Sequence, residues 1–229
     1  MPPSAPGAAA SEPIFFCATP PSELARARGG QSRWHNRSLA WCVVDRLQGV
    51  SLAAQTEAYA WAFAQWSGVV PLDFRQVFDA READILLNTR AVDGAGGTLA
   101  MMQLPPGNDQ QLRGWFDLQE DWRRIALSLV ALHEFGHAIG LDHDDSRGVE
   151  SVMDSRYNER LKTLQARDVA RAQHLYGVRQ SPPAVPPPIT PAPLPPAAPP
   201  TDVRPGQVML TISVPLAPGI YSLDPRKLI

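Results

Sequence analysis

The stretch HEFGHAIGLDH at residues 133–143 constrains the fold most, because it holds three of the chain's five histidines. Residues four apart share one face of an α-helix, so His133 and His137 can direct their imidazoles at one point. Gly140 can adopt the left-handed conformation that ends a helix and turns the chain sharply. His143 then approaches the same point from the following loop. The stretch therefore predicts a helix, a turn and a cluster of three imidazoles.

Such a cluster is predicted to bind one catalytic zinc ion. Zn²⁺ takes imidazole nitrogens at roughly 2.0–2.1 Å, and three protein ligands leave the fourth tetrahedral position for water. Glu134 lies beside that water, whose pKa zinc lowers to about 7, and can take its proton and pass it to a leaving amine. A solvated helix surface is the competing interpretation of HExxH alone. Gly140 and His143 at the required offsets make that interpretation a poor one.

Charge and hydropathy argue against other classes of protein. The chain has 229 residues and a formal net charge of −2, whereas a nucleic-acid-binding surface needs a basic excess. The sequence has no apolar run of about 18 residues or more, so no membrane span is predicted. No Lys or Arg precedes Arg26, and no long apolar stretch follows the start. The N-terminus therefore lacks the features of a secretory signal.

Composition divides the chain into four predicted parts. Residues 1–32 are rich in Pro, Ala, Ser and Gly, which predicts an irregular segment. Residues 33–178 carry the periodic patterns of one folded domain. Residues 179–205 form a proline-rich linker, for which a ligand for a partner's aromatic groove is the alternative. Residues 206–229 are too few to bury a core alone, and their role is left open.

Periodicity predicts alternating strands and helices in the second part. Ser51 and Asp121 are predicted N-caps of helices, and Gly177 is predicted to end the last one. The predicted helices are 51–68, 120–140 and 164–177. The predicted strands are 39–45, 69–77, 83–90, 98–105 and 113–119.

Several segments, covering about residues 33–177, resemble the catalytic domain of matrixins, the matrix-metalloprotease type of the metzincin clan. HExxHxxGxxH is followed by SVMD, similar to the methionine turn that lies beneath the histidines in the family, with Met153 as its methionine. An ordinary core role for Met153 is compatible with this one. RGWFDLQEDW, VDGAGGTLA and LQARDVARAQHLYG resemble the family's F-D-x-x-E-x-W pattern, D-G-x-G loop and final helix.

The resemblance implies an α+β, zincin-like fold: a twisted, mostly parallel five-stranded sheet, about three helices and a small C-terminal subdomain. It implies a zinc-dependent endopeptidase that acts on protein or peptide substrates outside the cytoplasm. Substrate would pair with the edge strand at Leu99 and Ala100. A pocket near Leu129, His133 and Tyr157 would favour an apolar residue after the cleaved bond. We expect a monomer. The alternative is a catalytically idle metzincin-fold binding module, or an adaptor acting through the proline-rich tail.

Two sets of positions concern further metals. Met101 and Trp115 stand where the family has histidines of a second, structural zinc site, so no structural zinc is predicted. Asp93, Asp117 and Glu120 match the family's calcium positions, and hard carboxylate oxygens suit that ion. Capping of a helix N-terminus is the alternative role for Asp117 and Glu120.

The family's latency device, a prodomain cysteine that ligates the zinc, is not expected here. Cys17 lies in IFFCATPPSE, which lacks the Arg and Gly of the family motif, and we favour reduced thiols for Cys17 and Cys42. Arg167 replaces the first of two adjacent acids in the last helix, and Asp144 stands where matrixins usually have Ser or Thr. The loss of the cysteine motif and of the acid at position 167 predicts a protease made without the usual zymogen, or regulated in another way, whereas Asp at position 144 resembles reprolysin-type relatives.

Overall fold

The computed structural model describes residues 16–17 and 32–180 of the chain, with the backbone alone at Phe16. Most of segment 1–32, most of linker 179–205 and all of segment 206–229 lie outside the described residues. The division of the chain into four parts therefore stays a prediction. In the described part, no helix is both long enough and apolar enough to cross a membrane.

Six strands form one mixed sheet. They are β1 (Phe16–Cys17), β2 (Ser38–Val43), β3 (Asp73–Gln76), β4 (Ile85–Arg90), β5 (Thr98–Met102) and β6 (Leu112–Asp117). Their order is β1-β5-β6-β4-β2-β3. Strands β3, β2, β4 and β6 pair in parallel, whereas β5 runs antiparallel to β6. The predicted, mostly parallel five-stranded sheet is confirmed, and β1 adds a short strand at the outer edge of β5.

Three helices accompany the sheet: α1 (Leu52–Val69), α2 (Leu127–Ala138) and α3 (Ala166–Tyr176). Ser51 caps α1, because its side chain accepts a hydrogen bond from the Ala54 amide at 3.1 Å. Gly177 ends α3 with a φ of 83°, in the left-handed region that favours glycine.

The predicted start of the second long helix was wrong. Residues 120–126 form turns, and Asp121 accepts from the Arg123 backbone amide and guanidinium without capping α2. Trp122 and Ile125 are buried in the core from these turns. Their apolar spacing imitates a helical period, although tertiary packing and not helical geometry places them.

Aromatic side chains of α1 fix the position of α2. The ring of Phe63 stacks on Phe135 with centroids 3.8 Å apart, and Tyr59 meets Phe135 edge-on at 5.7 Å. Such pairs contribute about 0.5–1.5 kcal/mol each beyond the area they bury. The indole Nε1 of Trp66 donates to the Leu132 carbonyl at 2.9 Å. Helix α2 carries the first two predicted zinc ligands, and its position is therefore fixed by packing against aromatic side chains of α1.

Candidate metal centre and cleft

Three imidazoles converge at the C-terminal end of α2. The Nε2 atoms of His133 and His137 are 3.1 Å apart. One ligand atom from each of His133, His137, His143 and Cys17 can be chosen so that all four lie within 4.8 Å of one another. The structure thus brings together the three predicted zinc ligands, and it adds a cysteine that the sequence did not indicate.

Backbone carbonyls orient the two helical imidazoles. The Nδ1 atom of His133 lies 2.6 Å from the Val152 oxygen, and that of His137 lies 2.6 Å from the Leu141 oxygen. A carbonyl oxygen can only accept, so each Nδ1 carries the proton and each Nε2 keeps its lone pair. Both lone pairs are therefore available at the centre of the cluster.

The donor set fits a four-coordinate zinc ion. With Zn–N of about 2.05 Å and Zn–S of about 2.3 Å, tetrahedral geometry places nitrogens roughly 3.3 Å apart and sulfur and nitrogen roughly 3.6 Å apart. The His133–His137 separation is 3.1 Å, and Cys17 Sγ lies 3.6 Å from His137 Nε2. Buried Nε2 of His143 has no hydrogen-bond partner in the described part of the chain, as a vacant ligand atom would.

Burial keeps the imidazoles neutral. It lowers the pKa of His133 to about 4, with His143 adding to the effect, and it lowers the pKa of His137 well below its usual value. Burial also lowers the pKa of His143. Neutral imidazole is the form that ligates metal, so no proton has to be displaced near pH 7.

Glu134 is buried beside the cluster. Burial raises the pKa of its carboxyl to about 8, and the nearby Cys17 thiol opposes this increase. Apart from that thiol, its buried oxygens have no hydrogen-bond partner among the described residues. A cation bound by the histidines would favour the ionised form. The residue thus places a carboxyl group with free acceptor capacity at the predicted site.

Gly140 makes the turn that returns His143 to the cluster. Its φ is 99°, and a Cβ at this position would overlap the carbonyl oxygen of Ser32. The amide of Gly140 donates to the His137 carbonyl, and that of Leu141 donates to the Gly136 carbonyl. Any other residue would meet both backbone strain and a steric clash here.

Met153 is fully buried and lies against Gly136 of α2, and its role as the methionine of the turn stays a prediction. A Cβ added at Gly136, between the two helical histidines, would overlap Met153 Sδ. It would also lie 3.0 Å from both Met153 Cε and Trp66 Cζ2. The methionine, the glycine and the indole therefore pack without space for another methyl group.

Gly136→Ala is expected to lower the free energy of unfolding by about 1–3 kcal/mol, because it overpacks this core. Gly68→Ala is the matched control, since Gly68 also lies in a helix and a Cβ there would contact nothing within 4 Å. The control is expected to be neutral or to stabilise by up to about 1 kcal/mol. Urea unfolding of both variants measures the difference, and equal stability would contradict the packing described here.

Cys17 reaches the cluster because β1 occupies the cleft. Cys17 pairs with Ala100 of β5, and its amide donates to the Ser155 carbonyl at 3.0 Å on the opposite wall. The sequence did not lead us to expect a zinc-ligating role for Cys17, whereas the structure places its thiol at the histidine cluster. Flanking residues could not reveal it, because the strand arises from pairing with β5, and the short apolar run IFF was its only local sign.

The predicted specificity residues divide between a pocket and an edge. Leu99, Leu129 and Tyr157 line one pocket together with His133 and Glu134. Ala100 is instead buried in β5 and takes part in the backbone pairing with β1. Sequence reasoning missed several further lining residues, which come from the methionine turn and the loop after it: Val152, Asp154, Arg156, Asn158 and Leu161.

The three predicted calcium carboxylates organise the loop at 92–98. Asp117, Glu120 and Asp93 each accept hydrogen bonds from backbone amides of this loop. Burial raises the pKa of Glu120, and the neighbouring charges of Asp117 and Asp93 add to this effect. The amides belong to a loop and not to a helix N-terminus, and calcium binding stays a prediction.

At the two positions of the family's structural zinc site, other contacts are found. The Arg90 guanidinium lies 4.9 Å from the Trp115 ring centroid, and its Nη2 is 3.5 Å from Met101 Sδ. A cation–π contact of this kind contributes about 0.5–1 kcal/mol when it is exposed.

A three-histidine cluster with an adjacent glutamate, set beside the edge of a mixed sheet, is the arrangement of the metzincin class of zinc peptidases. A comparison with family profiles identifies the family itself: the Matrixin profile matches residues 33–177. The chain belongs to the matrixin family.

Several curated proteins are similar to this chain over most of its length. The chain is 33% identical to macrophage metalloelastase of Rattus norvegicus over 184 residues, covering 74% of this chain and 39% of the relative. It is 31% identical to matrix metalloproteinase-26 of Homo sapiens over 181 residues, covering 72% and 67%. It is 34% identical to stromelysin-1 of Equus caballus over 174 residues, covering 69% and 35%. The chain thus spans under half of the rat and horse proteins, and the family supports a zinc metalloendopeptidase.

Proposed function

We propose that this chain is a zinc-dependent endopeptidase that hydrolyses peptide bonds in proteins, with Glu134 as general base. The observation that carries the proposal is the convergence of His133, His137 and His143 beside a buried carboxylate in a cleft. The three imidazoles would hold the ion. Zinc in such a site lowers the pKa of bound water to about 7 and polarises a carbonyl as a Lewis acid.

The protein's own residues contribute proton transfer in a site that is shielded from bulk solvent. Glu134 accepts the proton of the attacking water and later gives it to the leaving amine. Its burial supports the first step, because a raised pKa makes the carboxylate a stronger base, and a cation held by the histidines would keep it ionised until the proton is transferred. Met153 and the carbonyls of Val152 and Leu141 keep the imidazoles in place during these steps.

Substrate is proposed to bind as an added strand on β5. The pairing of Phe16–Cys17 with Thr98 and Ala100 supports this, because it shows that the edge accepts an extended backbone. The next side chain after the cleaved bond would enter the pocket lined by Leu129 and Tyr157. That pocket is apolar near the histidines, so we propose a preference for an apolar residue there.

The form with Cys17 at the histidines is proposed to be latent. A thiolate there would take the position that water needs, and β1 would fill the place of substrate. Calcium is proposed to bind at Asp93, Asp117 and Glu120 and to stabilise the loop beside β5. The proline-rich tail is proposed to bind a separate partner.

Metal removal tests the proposed function. We expect one zinc per chain by elemental analysis, and cleavage of a peptide library with an apolar residue after the cleaved bond. The Cys17→Ala variant is assayed beside the unmodified chain, so that latency does not hide activity. Chelation should abolish cleavage, and Zn²⁺ should restore it where Ca²⁺ alone does not. A zinc-loaded Cys17→Ala variant without cleavage of any peptide would favour the idle binding module.

A further inference from the structure

The third histidine lacks the local supports of the first two. His133 and His137 belong to α2, and each has its Nδ1 next to a backbone carbonyl. His143 lies in an irregular loop, and no hydrogen bond to its ring is found in the described part of the chain. Its placement at the cluster must therefore come from what holds the neighbouring backbone.

Helix α3 supplies such a support through one side chain. Arg171 Nη2 donates to the Asp142 carbonyl at 2.8 Å, and Arg171 Nη1 lies 3.6 Å from Asp144 Oδ2. These contacts fall on the residues immediately before and after His143. Arg171 thus donates a hydrogen bond to the backbone before the ligand and makes an ionic contact, without a hydrogen bond from Nη1, with the side chain after it.

Asp144 is fixed by further charged and polar contacts. Arg167 Nε donates to its Oδ2 at 2.8 Å, and Ser146 Oγ donates to its Oδ1 at 2.6 Å. The Asp144 side chain is only 6% exposed, whereas Arg167 is 52% and Arg171 is 24% exposed. A carboxylate so buried is stable only when it is paired, and its charge-assisted hydrogen bonds are the strong kind.

The same helix also holds the methionine turn. Asp168 accepts hydrogen bonds from the Ser151 hydroxyl and the Val152 amide. The Asp144 amide donates to the Met153 carbonyl at 2.8 Å, which joins the two loops to each other. Helix α3 therefore supports both the loop of the third ligand and the methionine turn.

We propose that Arg171, assisted by Arg167 through Asp144, is a positioning residue for the third zinc ligand. The inference rests on the proposed zinc site. The two arginines compensate for the missing hydrogen bond to the His143 ring, because they hold the residue before it through its carbonyl and the residue after it through its carboxylate. Residues that support ligands in this indirect way typically change metal affinity by about 10–100-fold when they are mutated.

The test compares zinc affinity with the stability of the metal-free chain. Arg171→Met, Arg171→Lys and Arg167→Met are made in the full chain, and Arg81→Met is the control, because Arg81 forms an exposed ion pair with Asp79. Chelator competition gives each zinc dissociation constant, and urea unfolding gives the stability of each metal-free form. The visible spectrum after cobalt substitution reports the geometry of the ligands.

Arg171→Met is expected to weaken zinc binding by about 10–100-fold and to alter the cobalt spectrum. Arg171→Lys should recover part of the affinity, because it keeps the charge near Asp144, and Arg81→Met should change nothing. Arg167→Met, at the more exposed partner, should weaken binding less, and it keeps the test valid if Arg171→Met does not fold.

If Arg171→Met and Arg167→Met both bind zinc within about two-fold of a zinc-binding parent chain, the positioning role is overturned while the proposed function stands. The same holds if Arg81→Met weakens binding equally. A parent chain that binds no zinc overturns both proposals together.

Discussion

Replacing Glu134 with Gln is expected to lower kcat for peptide cleavage by about 10²–10⁴-fold, the usual contribution of a general base. Glutamine has the same shape and can still hydrogen-bond water, but it cannot take a proton at neutral pH. The substitution removes a buried carboxyl from the site, and none of the three imidazoles is changed. Zinc content and KM should therefore remain close to those of the parent.

The measurement uses the Cys17→Ala background and a peptide that the background cleaves. Glu57→Gln is the matched control, because Glu57 also lies on a helix but is exposed to solvent, and its activity should be unchanged. Full activity of Glu134→Gln with zinc bound would refute the proposed mechanism. A background without activity, unaffected by either substitution, would favour an idle binding module or an adaptor acting through the tail.

The histidine cluster could be predicted from the sequence because its residues lie close together along the chain. The spacing of His133 and His137 depends only on helical geometry, and Gly140 is required by backbone sterics at a φ of 99°. His143 follows within three residues of that turn. The strands were also recognisable, since β-rich apolar runs pair in a mostly parallel sheet whose central strands β2, β4 and β6 are largely buried.

Other features depend on contacts distant in sequence, which no local pattern shows. The start of α2 was misplaced because Trp122 and Ile125 are buried by tertiary packing. Asp144 and Arg167 were each recognised as departures from the family pattern, yet their mutual hydrogen bond appears only when α3 packs beside the loop. In the sequence the two residues are separate departures from the family pattern, whereas in the structure they form one ion pair.

Cys17 is the clearest such case, because 120 residues separate it from His137, which it contacts. Its position follows from strand addition to β5 and from the bond of its amide to Ser155, on the two walls of the cleft. Backbone pairing is insensitive to the identity of neighbouring side chains, so a different flanking sequence can place a thiol at the same point.

Replacing Cys17 with Ala is therefore expected to raise peptidase activity of the full chain by roughly 10²-fold, since an intramolecular ligand competes with water and substrate at an effective concentration in the millimolar range. Cys42→Ala is the matched control, because the Cys42 thiol is buried in a separate small cluster with Ala40, Val77, Ala83 and Leu86. It should leave activity unchanged. Cobalt substitution gives a second measurement: a thiolate-to-metal charge-transfer band should be present in the parent and in Cys42→Ala and lost in Cys17→Ala. Equal activity of parent and Cys17→Ala, with no such band in either, would show that the thiol does not reach the metal and that latency has another cause.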